Sequence, residues 1–260
     1  MSTYYAEQEA KLPFGVDLFN LITATTNPSG LSQVIAPPLG ARLRLADGRI
    51  FRWGLSNDTI LIGQVVQMAI PVANHLNCQC DVGRSVGDQL ISATLGATAA
   101  AANLYQDGYV HVNAPLASAG GGQMFKIKNH AAVLSAGILT ANLYDKIRVA
   151  TTTSSYLTFT KNPGDSVIIA PTTLSAPVFG VSIQAVASGS YGWFQVKGPA
   201  SVRITGTVGI GQWVMPDNAT TAGTCIPAPA GASEVNVPVI GRTMRVNATA
   251  TYALIDLCIE

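Results

Sequence analysis

From Leu39 to Glu260, short runs of β-branched and aromatic residues alternate with glycine, proline, asparagine or aspartate, and this punctuation constrains the fold more than anything else in the chain. The 25 glycines and 14 prolines among 260 residues come too often for long helices. Each glycine in a helix interior costs about 1 kcal/mol relative to alanine, and each proline about 3. The runs Ala41–Leu45, Ile50–Trp53, Gly63–Val72, Tyr109–Asn113, Lys126–His130, Lys146–Ala150 and Tyr156–Thr160 read as strands, as do Val167–Ala170, Val178–Val186, Trp193–Lys197, Ser201–Thr205, Trp213–Met215, Val235–Val239 and Tyr252–Ile259. The pattern predicts an all-β protein of sandwich or barrel units with little helix. Asp47-Gly48, between Leu43-Arg44-Leu45 and Ile50-Phe51-Arg52-Trp53, predicts a tight hairpin. Ala97–Tyr105 is alanine-rich and reads as a loop, a single turn or a short helix.

Residues Met1–Pro38 differ from the rest. They hold a possible short helix at Tyr5–Leu12, an apolar cluster that includes Phe14, Phe19, Leu21 and Ile22, then Thr-Thr-Asn-Pro-Ser-Gly and the pair Pro37-Pro38. Such a segment is too apolar to float and too broken to fold alone, so it reads as an extended N-terminal arm that makes contacts through those four residues. The expected division is an arm at 1–38, a β domain at 39–164 and a C-terminal β domain at 165–260, cut at Asn162-Pro163-Gly164.

Only 11% of the residues are charged, against about 25% in an ordinary soluble protein. Fifteen basic and fourteen acidic residues give a net charge of +1, which argues against a general nucleic-acid or anionic-membrane binder. A surface so poor in charge is best covered by copies of itself or by a partner. The start carries no basic and apolar pattern of a secretory signal, and the long uncharged run Ser166–Val196 is broken by Pro171, Pro177, Gly180, Gly189 and Gly192, so it reads as strands. Synthesis in the cytoplasm is expected.

Chemistry-bearing motifs are sparse. His75, Cys78 and Cys80 spell His-x-x-Cys-x-Cys, but structural zinc sites usually show two spaced ligand pairs, so no metal is expected, Cys78 and Cys80 read as buried small side chains, and the four cysteines read as free thiols. His75, His111 and His130 stand in no nucleophile context, and His111 alternates with Val110 and Val112 as a solvent-facing strand residue. Four glutamates and scattered aspartates such as Asp81, Asp88, Asp107 and Asp145 suit turns better than paired acid-base work. Gly120-Gly121-Gly122 lacks the Lys-Ser/Thr of a phosphate loop. No enzyme activity and no cofactor are expected. The one concentration of charge is Arg42, Arg44, Arg49 and Arg52 around the predicted turn, which reads either as a solvated face or as a patch that docks on partner carboxylates.

Two segments carry a resemblance. The stretch from Leu39-Gly through Leu45-Ala-Asp-Gly-Arg-Ile-Phe-Arg-Trp resembles the hairpin near the start of small phage head proteins. Gly189-Ser-Tyr-Gly-Trp-Phe-Gln-Val-Lys-Gly-Pro-Ala-Ser-Val, followed by Gly211, Ala222-Gly223 and Val239-Ile-Gly-Arg-Thr-Met, is similar to the C-terminal half of virion structural proteins of tailed bacteriophages. The resemblance implies a capsid decoration (cement) protein on the virion surface. Its partners would be the major capsid protein, through Arg42, Arg44, Arg49 and Arg52, and other copies of itself, with a trimer placed ahead of a dimer. Nucleic acid and membrane are not expected as partners, and a tail, baseplate or receptor-binding role is the alternative.

Overall fold

A computed structural model describes residues 10–12, 37–114, 120–229, 238–245 and 251–260. Among them the chain is all-β, with no α-helix and one short 3-10 turn at Ala73–His75. In chain order the first strands are β1 (Ala10–Leu12), β2 (Arg42–Leu45), β3 (Ile50–Leu55) and β4 (Val65–Gln67). Then come β5 (Cys78–Gln79), β6 (Leu90–Thr94), β7 (Tyr109–Ala114), β8 (Met124–His130), β9 (Ile138–Leu143) and β10 (Tyr156–Thr160). The last are β11 (Ile168–Ile169), β12 (Val178–Ser182), β13 (Tyr191–Arg203), β14 (Trp213–Pro216), β15 (Cys225–Pro227), β16 (Gly241–Arg245) and β17 (Tyr252–Cys258).

Two compact units result, Met1–Ala69 with Pro163–Glu260, and Ile70–Asn162 inserted between those halves. This differs from the expected cut into 39–164 and 165–260. The reason is pairing across the insertion: β3 joins β13, with Trp53 opposite Trp193, and β4 joins β12, with Val65 opposite Val181. Only the Asn162-Pro163 break marks a boundary visible as a turn signal; the other, at Ala69, falls inside the predicted run Gly63–Val72.

In the inserted unit the strand order is β5-β10-β7-β8-β9-β6, and an isolated bridge between Cys80 and Ala93 joins the two ends, curling the sheet toward a closed barrel. Strict alternation fills its interior. In β9, for example, Leu139, Ala141 and Leu143 are buried and Ile138, Thr140 and Asn142 are exposed. Phe125, Ile127, Leu157 and Phe159 pack in the same core.

The outer unit holds an eleven-stranded sheet whose main path is β1-β2-β3-β13-β17-β16-β14-β15. Its spine is β13, which runs through Gly198-Pro199 where two separate strands were expected. A bulge makes this continuity feasible: buried Gln195 donates its side-chain amide to the carbonyls of Lys197 (3.0 Å), Gly198 (3.1 Å) and Pro199 (2.9 Å), and Gly198 takes a φ of +84° that suits glycine. The hairpin between β2 and β3 turns at Asp47-Gly48, with Gly48 at φ +89°.

Three other expectations change, and at Ala97–Tyr105 the loop-and-turn alternative holds. Ala10–Leu12, the end of the suggested helix, pairs parallel with β2, because an open sheet edge offers backbone partners to an extended segment. Lys146–Ala150 is a loop: Ile147 is buried, but its backbone bonds run to Asp88 and Gly87 across a turn. Ala97–Tyr105 forms no helix, since Ala100 exchanges both backbone bonds with Val133 and turns follow it. Leu90–Thr94 and Ile138–Leu143 add a strand pair the sequence reading lacked. Phe14, Phe19, Leu21 and Ile22 lie outside the described residues, as does most of Val235–Val239.

Candidate functional site

The four arginines of the hairpin do not form one open patch. Arg42 and Arg52 stand opposite each other on β2 and β3, and both hold Glu260, Arg42 through Nη2 to Oε2 at 3.1 Å and Arg52 through Nη2 to Oε1. Arg49 turns back onto the hairpin loop, its Nε donating to Asp47 Oδ2 at 2.7 Å and its backbone N–H to Oδ1 at 3.1 Å. Slight burial pushes the Asp47 carboxyl up, but the Arg49 bonds and charge outweigh it and hold the group below its ordinary 3.8. Arg44 is exposed and has no ion-pair partner among the described residues. Asp47, Arg49 and Pro199 line an open depression of about 230 Å³. Its carboxylate and guanidinium already satisfy each other, and such a surface offers a partner one neutral pair.

The histidine and cysteine constellation is buried and hydrogen-bonded within itself. His75 engages the Tyr105 hydroxyl through Nδ1 and the Thr98 carbonyl through Nε2 at 2.8 Å. His130 donates from Nδ1 to the Ala131 carbonyl at 2.8 Å and accepts the Tyr105 backbone N–H on Nε2 at 3.1 Å, a pattern that fixes the neutral tautomer. Burial pushes the His130 imidazole below its ordinary 6.5, outweighing the Ala131 carbonyl bond that raises it, and burial raises the Tyr105 phenol far above its ordinary 10. Cys78 and Cys80 point to carbonyls, Asn74 at 3.6 Å and Val82 at 3.1 Å, and burial pushes both thiols up from 9. Such groups hold a core together and are poor nucleophiles. His111 stands exposed on β7 between buried Val110 and Val112.

Carboxylates and the glycine triplet serve turns. Asp88 accepts from the Ser85 backbone at 2.9 Å, Asp58 from Ile169 at 2.9 Å, and Asp107 takes the Tyr144 hydroxyl at 3.1 Å. Asp217 is 2% exposed and receives five bonds, from the backbone of Ala219, Thr220 and Thr221 and the hydroxyls of Thr220 and Thr224. Burial raises this carboxyl, and those donors overcome it, holding the group well below the usual carboxylate range. Gln123 fastens the Gly120–Gly122 tip, its amide donating to Gly120 (3.0 Å) and Val149 (2.8 Å). Gln123, Gln195 and Asp217 were missed as structural determinants in the sequence, where nothing distinguishes a polar residue that binds backbone groups from one that faces water.

What remains available to a partner is surface. Leu134, Ile210, Val86 and Met124 are exposed at 82, 73, 65 and 60%. No helix among the described residues is long and apolar enough to cross a membrane. The chain matches no protein-family model, no curated protein and no solved structure.

Proposed function

We propose that this chain is a non-enzymatic structural protein of a tailed-phage head, a decoration protein that binds the lattice of the major capsid protein and stabilises the shell. The observation that carries the reading is the exposed apolar surface on a chain with 11% charged residues: side chains such as Leu134, Ile210 and Met124 stand in water while His75 and Tyr105, and Asp217 and Thr224, bind each other inside. The resemblance of the Asp47 hairpin and the Tyr191 strand to phage virion proteins supplies the setting. The work is mechanical. An interface of about 1,600 Å² between decoration protein and capsomer contributes binding when its centre is well packed, and repetition over the lattice multiplies it. Self-association, as a trimer ahead of a dimer, covers further apolar surface and matches three-fold lattice positions.

The test is co-sedimentation of purified full-length protein with expanded shells lacking it. Saturable binding at a fixed ratio to capsid subunits, with shells that then resist heat better, supports the proposal. Recovery of the protein with tails or baseplates favours the alternative virion role, and failure to bind any particle removes both.

A further inference from the structure

Strand register places most of the basic residues of the outer unit on one side of its sheet, although they are scattered from residue 42 to residue 245 in the sequence. Arg42, Arg44 and Arg52 share one face of β2 and β3, since Arg42 pairs with Arg52 and the buried Leu43 and Phe51 point the other way. Lys197 of β13 pairs with Ile50 on that side and with Cys258 of β17. Arg203 stands at the far end of β13 beside Tyr252. Arg242 pairs with Asp256, and Arg245 with Leu254, while Trp213 of β14 lies opposite Arg242. The opposite face carries Ala200, Val202, Ala253 and Ile255 into the core.

Seven cationic side chains thus meet two carboxylates, Asp256 and Glu260, a surplus of five on one face of a chain whose net charge is +1. Glu260 is engaged by Arg42 and Arg52, whereas Arg44, Lys197, Arg203 and Arg245 have no ion-pair partner among the described residues. The surplus surrounds apolar contact area: Trp213, with the Arg242 guanidinium 4.0 Å above its ring, and exposed Tyr252, Leu254 and Met244.

We infer that this outward face of β2-β3-β13-β17-β16-β14 is a docking surface for an acidic protein surface. The inference deepens the proposed function and rests on it only for which acidic surface is met, that of the capsid lattice. Charge complementarity sets the sign of the partner. Composition sets its class: six of the seven cations are arginine, interleaved with Trp, Tyr and Met, the residues enriched at protein interfaces, and arginine forks match carboxylates in pairs of bonds. Asp256 at the centre of the face repels phosphate but accepts an arginine or a backbone N–H from a protein.

Full-length protein is titrated at low ionic strength with poly-L-glutamate and with a duplex DNA of equal charge. The variant R44E/R203E/R245E is compared with K128E/R148E, a double reversal at exposed positions of the inserted unit, and thermal melting checks that both stay folded. The expected result is poly-L-glutamate binding that weakens on the order of thirty-fold in the first variant and stays within about two-fold of wild type in the second, with salt weakening the wild type. Equal loss in both variants, retention in both, or no binding by the wild type overturns the inference, and tighter binding to DNA with the same variant dependence transfers the face to nucleic acid. Shells form a separate arm: if the wild type binds poly-L-glutamate through this face but binds no shell, the docking face stands and the decoration reading falls.

Discussion

Removing the Asp217 carboxylate is the most informative single perturbation of the fold. In the loop between β14 and β15 its two oxygens receive backbone N–H groups from Ala219 (2.8 Å), Thr220 (2.9 Å) and Thr221 (3.0 Å) and hydroxyls from Thr220 (2.6 Å) and Thr224 (3.2 Å). In Asp217→Ala the three backbone donors sit on exposed residues and turn to water, and the buried Thr224 hydroxyl keeps the Thr221 carbonyl at 2.8 Å and the Thr205 hydroxyl at 2.7 Å, so the loss falls on the charge-assisted bonds that close the loop. Hydrogen bonds to a charged group are worth about 1.5–3 kcal/mol each and do not add within one network, so the net loss is about 3 kcal/mol. For a unit of this size that is a fall in melting temperature of about 6–12 °C. Asp217→Asn should cost a similar amount, because its amide NH2 replaces one acceptor with a donor facing donors. The sign of the pH effect follows from a folded-state carboxyl held below its ordinary 3.8: the stabilisation is complete above that value and is lost as the pH falls below it, when the unfolded chain takes up the proton first. Melting followed by circular dichroism should therefore show a wide gap between wild type and Asp217→Asn at neutral pH that narrows below pH 3.8. A gap under about 1 kcal/mol at neutral pH, or one that stays constant in acid, would refute the reasoning.

Three further outcomes are expected. His130 is neutral and depressed below 6.5 in the folded state, so the inserted unit should lose stability as pH falls through 6.5, and His130→Gln should flatten that part of the melting-against-pH curve. A thiol reagent applied to native protein should label Cys258, the one exposed cysteine, while Cys225, whose thiol burial pushes up to about 12, reacts only after unfolding. Gly108→Ala places a Cβ 2.3 Å from the Thr160 carbonyl oxygen and 2.9 Å from the Asn162 nitrogen, and should cost about 3 kcal/mol in denaturant unfolding; Gly48→Ala, with open space but φ +89°, should cost about 1.

The fold class and the Asp47-Gly48 hairpin were legible because each depends on neighbours in sequence: β-branched runs between breakers, and a dipeptide that accepts positive φ. Leu90–Thr94 was not legible, since Ser92 is buried inside it, with its hydroxyl near Arg84, and a buried polar residue erases the alternation. Ile138–Leu143 alternates properly, but its second half carries alanine and asparagine in place of strong strand formers. The break at Gly198-Pro199 misled in the other direction, because the Gln195 amide that carries the strand across it is a tertiary feature. The same limit applies to the candidate site. The hairpin arginines were visible as a cluster, but their capture by Glu260 and Asp47, and the alignment of Arg203, Arg242 and Arg245 beside them, depend on the pairing of β13, β17 and β16.

The most direct measurement of the central claim is quantitative mass spectrometry of density-purified phage particles separated into heads and tails. The account predicts that this chain travels with the heads, in a constant ratio to the major capsid protein, and is stripped by salt before the capsid protein dissociates. Its absence from heads, or its presence only in the tail fraction, would contradict the account.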